Sequence, residues 1–338
     1  MTGTFSRILT VTLLLSAFAL LPSAGCGAKN AKRQVRMDQP PPPPPPVPPK
    51  RDVPLDPALM DAARKEIDAA AASNNPVVRA HAVEAMKDAI GKPAADKIIK
   101  ALNDSASVVR FAACLAVGEL RLAEAKSMLL KLSDDVNPTV RIGARFALHR
   151  LGDNRLTRDL EATSRDPEPG TRGNTAIVLG LLGEPTATRV LTPMLSDSNA
   201  AVRLQAAESL WRLKDERGLE SLVSASLSKY PDDQMLALLA LAGPRDRRVM
   251  GHLVGALTSD YDEVSLIAAR ACGLLGSDEG MGVALRFVKS PDPRQRFLAA
   301  LALGAIRRAD AQEALSGLLT DSEPDVRLAA ATALLQLK

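Results

Sequence analysis

The stretch DSEPDVRLAAATAL fills residues 321–334, and DSASVVRFAACLAV fills residues 104–117. Each opens on an Asp, reaches an Arg six positions later, and sets an Ala three positions beyond that Arg. The two are copies in one register with a period of 31 residues, easiest to follow at Arg79, Arg110, Arg141, Arg172, Arg203, Gln234, Ser265, Arg296 and Arg327. A fixed period of this size marks a stack of supersecondary units, since one such unit cannot bury enough surface to fold alone.

The residue types at fixed offsets from the Arg position state the local structure. Six residues before it stand Ser73, Asp104, Asp135, Asp166, Asp197, Ser228, Ser259, Ser290 and Asp321, all of them turn formers. Pro recurs three before it, at Pro76, Pro138, Pro169, Pro231, Pro293 and Pro324. A Ser or Asp turn followed by Pro begins a helix, because the first turn does not need the N–H that Pro lacks. Apolar residues at −1, +3, +7 and +10 then make one helical face, and Gly152, Gly183 and Gly276 at +11 close the helix. A second, shorter amphipathic segment lies between these helices, with Ile67, Ile98, Leu129, Leu160, Leu191, Leu222, Leu253, Ala284 and Leu315 in register. The expectation is an all-α array of nine helix–turn–helix repeats over residues 57–338, about eighteen helices in all.

The Asp-x5-Arg pattern, with Val before the Arg and Ala after it, resembles the HEAT repeat, and the short period resembles the variety named after phycobilisome lyases. The resemblance implies a right-handed α-solenoid with the Pro/Arg helices on its concave side. It also implies a ladder of turn acids and helix arginines between adjacent repeats. Repeats 6 and 7 carry Ser228 with Gln234 and Ser259 with Ser265, so the ladder should lapse there, and Gly243-Pro244 should end the inner helix of repeat 6 early.

The N-terminal part is of another kind. Arg7 precedes an apolar run from Ile8 to Leu21, too short for a comfortable membrane span and followed by small residues before Cys26. Ser23-Ala24-Gly25-Cys26 resembles a bacterial lipobox, with Ser23 where Leu is usual. That resemblance implies a signal peptide over residues 1–25, cleavage before Cys26, and a lipid-modified (palmitate-bearing) Cys26 on an outer membrane facing the periplasm. The plain alternative is secretion with Cys26 incidental. Residues 26–56 then read as a tether: an unbroken run from Pro40 to Pro46, continued by Pro48 and Pro49, favours polyproline II and acts as a stiff spacer. A docking site for a proline-binding domain is the rival reading.

Composition limits the functions open to the chain. Net charge is +4 over 338 residues, but residues 1–51 hold seven Lys/Arg against Asp38 alone, leaving the repeats slightly acidic. A near-neutral body does not resemble a nucleic-acid binder, which needs a basic face to neutralise phosphates. The three histidines, His81, His149 and His252, fall in repeats 1, 3 and 7, too far apart in the register to share a metal. Neither a metal-ligand motif nor a phosphate-binding glycine loop is present, and no cofactor is implied. Cys114 and Cys272 lie five repeats apart, more than about 40 Å at roughly 9–10 Å per stacked pair. They should be separate buried thiols.

These readings point to a non-catalytic scaffold that binds a protein partner, with a lyase-like or chaperone-type accessory subunit as the alternative. The candidate partner surface is the apolar stripe at +1 and +5 of the inner helices: Phe111, Leu115, Phe146, Ile177, Met235, Leu239, Phe297 and Leu301, with Trp211 beside it as an anchor. The competing reading of the stripe is packing between neighbouring inner helices, and for Trp211 a gap filled between repeats 5 and 6.

Overall fold

The computed structural model describes residues 45–155 and 160–337. The signal peptide, Cys26 and the first part of the proline run lie outside the described residues. Among the described residues there are eighteen α-helices. Odd numbers are the outer helices: α1 (Pro57–Ala71), α3 (Ala95–Ala101), α5 (Lys126–Leu132), α7 (Leu160–Thr163), α9 (Thr188–Met194), α11 (Glu216–Ser226), α13 (Met250–Ala256), α15 (Met281–Phe287) and α17 (Gln312–Leu318). Even numbers are the inner helices: α2 (Pro76–Ala85), α4 (Ser107–Leu120), α6 (Pro138–Arg150), α8 (Pro169–Leu182), α10 (Ala200–Arg212), α12 (Pro231–Ala242), α14 (Asp262–Leu274), α16 (Pro293–Ile306) and α18 (Pro324–Leu334).

The chain forms two compact units, residues 68–224 and residues 45–67 with 225–337. Within the first, α2, α4, α6, α8 and α10 pack each on the next; within the second, α12, α14, α16 and α18 do the same. Outer helices pack against the inner helix of their own repeat, as α5 on α6 and α15 on α16.

The invariance of Ser or Asp at the turn has a direct cause. In all nine repeats its side-chain oxygen accepts a hydrogen bond from the backbone N–H two residues on. That bond folds the chain into the turn and sets the residue that precedes the helix. Several of those residues are themselves caps: Asn75, Asn137, Asn199 and Asp292 each accept from the first turn of the helix that follows.

The far end of the inner helix is equally regular, and only partly visible in sequence. Position +11 is left-handed in repeats 2 to 8: at Gly152, Gly183 and Gly276, and also at Arg121, Lys214, Arg245 and Arg307, with φ of 54 to 65°. A non-glycine residue there costs about 1–2 kcal/mol. Backbone hydrogen bonds close the helix there, from Leu122 N to Val117 O, from Asp215 N to Leu210 O and from Arg307 N to Leu303 O. In repeat 6 the inner helix closes at Ala242, before Gly243-Pro244.

The ladder forms at four of the five places where an Arg is followed by an Asp 25 residues on; Arg141 keeps only its bonds to the turn carbonyls of Asp135 and Val136. Arg79 grips Asp104 with two hydrogen bonds of 2.8 Å, and Arg110–Asp135, Arg172–Asp197 and Arg296–Asp321 repeat the fork. Each of these guanidiniums also donates to the carbonyl of its own turn residue. In repeat 6, Gln234 keeps that backbone bond to Ser228 without the inter-repeat fork. A bidentate charge-assisted pair is stronger than the neutral bond replacing it. Hydrogen exchange should therefore show the earliest opening within residues 228–265; uniform protection along the array would count against this account of cohesion.

Candidate functional site on the inner helices

The candidate residues of the inner helices lie mostly inside the protein. Phe111, Leu115, Phe146, Ile177, Trp211, Met235, Leu239 and Phe297 are buried, Phe146 to 1 % exposure and Trp211 to 0 %, while Leu301 is half-buried. The physical reason is a set of glycines on the facing helices. A Cβ at Gly118 of α4 would stand 2.7 Å from Phe146 Cε1, and one at Gly143 of α6 would stand 2.8 Å from Phe111 Cδ2. Each Phe fills the hollow that the other helix's glycine leaves. Gly180 against Ser209, and Gly304 against Ala333, continue the arrangement. Of the two readings of the stripe, burial supports packing between neighbouring inner helices.

Trp211 falls in the same way to the gap-filling reading. Gly218 of α11 lies against the backbone of Ala207 and Trp211, so α11 approaches the C-terminal part of α10 closely. Lys214 Nζ sits 5.5 Å from the ring centroid. At Gly173 the Gln205 amide occupies the space that a Cβ would take.

What the stripe reading missed is a buried charged cluster at the C-terminal ends of the inner helices in the first unit. Lys87 Nζ bonds Glu119 Oε2 at 3.0 Å and Asp88 Oδ1 at 3.1 Å. Arg212 bonds Glu208 Oε1 at 2.8 Å on α10 and acts electrostatically on Glu119. Glu84 Oε1 is sealed from solvent without a hydrogen-bond partner. Burial pushes the Glu84 carboxyl up to about 8, with His81 and Lys87 only partly opposing it. Burial works to lower the Lys87 ammonium, but Asp88, Glu119 and Glu84 together raise it above its ordinary value. Burial also raises Glu119 and Glu208. The sequence signal was available: at +5, where Leu or Phe is usual here, repeats 1 and 5 carry Glu84 and Glu208. Sealed in this way, Glu84 holds its proton for the fold.

His149 Nε2 lies 3.9 Å from Glu184 Oε1, a second His–Glu neighbourhood apart from that of His81 and Glu84. Among the described residues no group of three or more His, Cys, Asp or Glu is disposed to hold a metal ion. Cys114 and Cys272 are free and buried; burial raises both thiols, Cys272 to about 12. No described helix is long and apolar enough to cross a membrane. A cavity of about 680 Å³ in the second unit lies among Met281, Leu285, Val288 and Leu318, beside Pro48 and Pro49.

With the interior filled, the open apolar side chains stand out. Val136 is 93 % exposed, Leu227 75 % and Tyr230 58 %, and all three belong to the turns that lead into inner helices. Tyr230 has Lys229 Nζ 5.0 Å from its ring centroid, and Leu227 lies one residue beyond α11.

A family profile for HEAT repeats matches residues 64–149, 159–242 and 251–335, most of the repeat array. No curated protein matches the chain. Among solved structures, the complex of CpcE and CpcF of phycocyanin lyase from a Nostoc species is 20% identical, with 70% of this chain and 95% of that one covered and a TM-score of 0.43. Human deoxyhypusine hydroxylase is 20% identical over 74% of this chain and 98% of its own, with a TM-score of 0.39. Kap121p is 15% identical over 83% of this chain and 38% of its own, with a TM-score of 0.36.

Proposed function

The chain belongs to the HEAT-repeat family, and from that premise we propose that it is a non-catalytic protein-binding scaffold held at a bacterial envelope. The observation that carries the reading is where the open apolar side chains lie: Leu227 and Tyr230 stand in a turn on the edge of the array, while the inner stripe is consumed by packing. A repeated helix pair presents its turns side by side, which suits an extended partner surface. Tyr is well adapted to such contacts because its ring adds area and its hydroxyl adds a hydrogen bond at little entropic cost. The contact edge in this proposal is therefore the turn ridge of repeat 6 rather than a groove lined by Phe111 and Phe146.

Leu227→Ser and Tyr230→Ser should each leave stability within about 0.5 kcal/mol, as surface changes do. The pair should nevertheless reduce capture of a discrete protein partner from detergent-solubilised envelope by tenfold or more. Undiminished capture by the double variant would remove this edge as the binding surface.

Tethering rests on the N-terminal sequence. Cys26 is the proposed lipid attachment, with the repeats facing the periplasm from the outer membrane. Cys26→Ala should release the protein into the soluble fraction or leave the precursor uncleaved. Normal processing and unchanged membrane partitioning of that variant would refute the anchor.

A further inference from the structure

Residues 45–56 are described as chain without helix or strand, and they are seated on repeats 8 and 9. We propose that the outer ends of these two repeats form a receptor for a polyproline segment, with residues 45–56 of the same chain as its occupant.

The centre of the site is Arg308, 4 % exposed. Its guanidinium has five N–H groups, and all five are accounted for. Nε and Nη2 bond the two carboxylate oxygens of Asp310 at 3.0 and 2.6 Å, and Nη1 bonds Asp278 Oδ2 at 3.0 Å. The two N–H groups left over reach Pro48 O and Pro49 O, each at 2.9 Å. The carboxylates hold the guanidinium in place and aim its remaining donors at two successive carbonyls. A proline run has no N–H to offer and no internal hydrogen bonds, so its carbonyls are free acceptors. A paired set of donors is the complement it requires.

The neighbouring contacts read the backbone on either side. Arg51 N donates to Asp310 Oδ2 at 3.2 Å. Gln312 uses both ends of its amide: Oε1 accepts from Asp56 N at 3.1 Å and Nε2 donates to Pro54 O at 2.8 Å. Under the start of the segment, a Cβ at Gly282 would lie 2.7 Å from Pro46 O and 2.9 Å from Pro45 O, so only glycine permits the approach.

The repeat register shows that this set is a departure from the rest of the array. At the positions of Arg308 and Asp310, repeats 4, 6 and 7 carry the reverse order: Asp153 with Arg155, Asp215 with Arg217, Asp246 with Arg248. In those repeats the acid is turned inward and accepts from the Arg backbone N–H, while the Arg head is exposed. An inward acid has no donor for a carbonyl. Repeat 9 inverts the pair and puts a donor inside. Gln312 stands where repeats 7 and 8 have Met250 and Met281. Three positions in one repeat change together, and all three meet the segment.

The test uses the mature chain made soluble by Cys26→Ser. Amide exchange should show Arg51 and Asp56 slowed at least tenfold in this protein. Arg308→Gln should abolish that protection. Gln312→Ala, which leaves the Arg308 cluster untouched, should abolish it at Asp56, and Arg248→Gln should leave it intact. In a second chain, residues 40–56 are replaced by Gly and Ser to vacate the site. A labelled peptide of residues 40–56 should bind that chain at least tenfold tighter than the chain with its own segment, and Arg308→Gln should remove this binding. Unprotected Arg51 and Asp56 in the Cys26→Ser protein would overturn the proposal. So would failure of the vacated chain to take up peptide while its melting is unchanged, or peptide uptake that survives Arg308→Gln. Dimers formed by exchange of the segment would overturn the assignment of the occupant to the same chain.

Discussion

Phe146→Ser is expected to destabilise the first unit by roughly 3–5 kcal/mol, the range for truncating a buried Phe, with a further penalty for the hydroxyl it buries. The ring lies at 1 % exposure against the Gly118 hollow, so nothing nearby can move in cheaply to refill the space. Phe111→Ser should behave similarly, since Phe111 fills the matching hollow at Gly143. The readout is built in: Trp211 is the protein's one tryptophan and lies in the same unit, residues 68–224. Urea unfolding followed by its fluorescence reports that unit, avoiding a single global free energy that a long repeat array does not define. A near-unchanged midpoint for both variants would contradict the packing account and return these residues to the surface.

The second large effect is a dependence on pH with an unusual sign. Glu84 titrates at about 8 in the folded protein against an ordinary value of 4.5, chiefly because it is buried. Between those values the folded state holds a proton that the unfolded state has released. Its contribution is therefore full below pH 4.5, declines as pH rises toward about 8, and is exhausted above that. The ladder acids work in the opposite sense. Hydrogen bonds from Arg79, Arg172 and Arg296 hold Asp104, Asp197 and Asp321 below the usual carboxylate range. Their contribution is complete above the unfolded value near 4 and is lost as pH falls through the depressed folded values. Glu84→Gln mimics the protonated acid. It should match the parent at pH 5, exceed it by a few kcal/mol at pH 8, and flatten the profile between. A parent whose first-unit stability is flat from pH 5 to 8, or a variant that is weaker at pH 8, would show that Glu84 is not the buried acid described here.

How much of this was legible beforehand follows from the physics of each feature. The helix pairs were readable because their signals are local: a turn oxygen, a proline, then an apolar face. The ladder was readable because two charged residues recur at one spacing. The left-handed ends at Arg121, Lys214, Arg245 and Arg307 were not, since no local preference puts Arg or Lys there. The stripe was seen, but its depth depends on how closely neighbouring inner helices approach. That is decided by Gly118 and Gly143, whose partners lie one repeat away. The charged cluster joins residues from three helices, and the proline segment meets residues more than 250 positions later in the chain. Neither contact exists within any one window of sequence, although the inverted Arg308 and Asp310 pair was an available anomaly.

The scaffold reading is tested most directly by a photo-crosslinking residue placed singly at positions 230, 227 and 146 in cells that make the anchored protein. The account predicts one discrete protein adduct from positions 230 and 227, formed at wild-type stability, and none from position 146. No adduct from either turn position would contradict it, as would an adduct obtained from position 146 in a chain that remains folded.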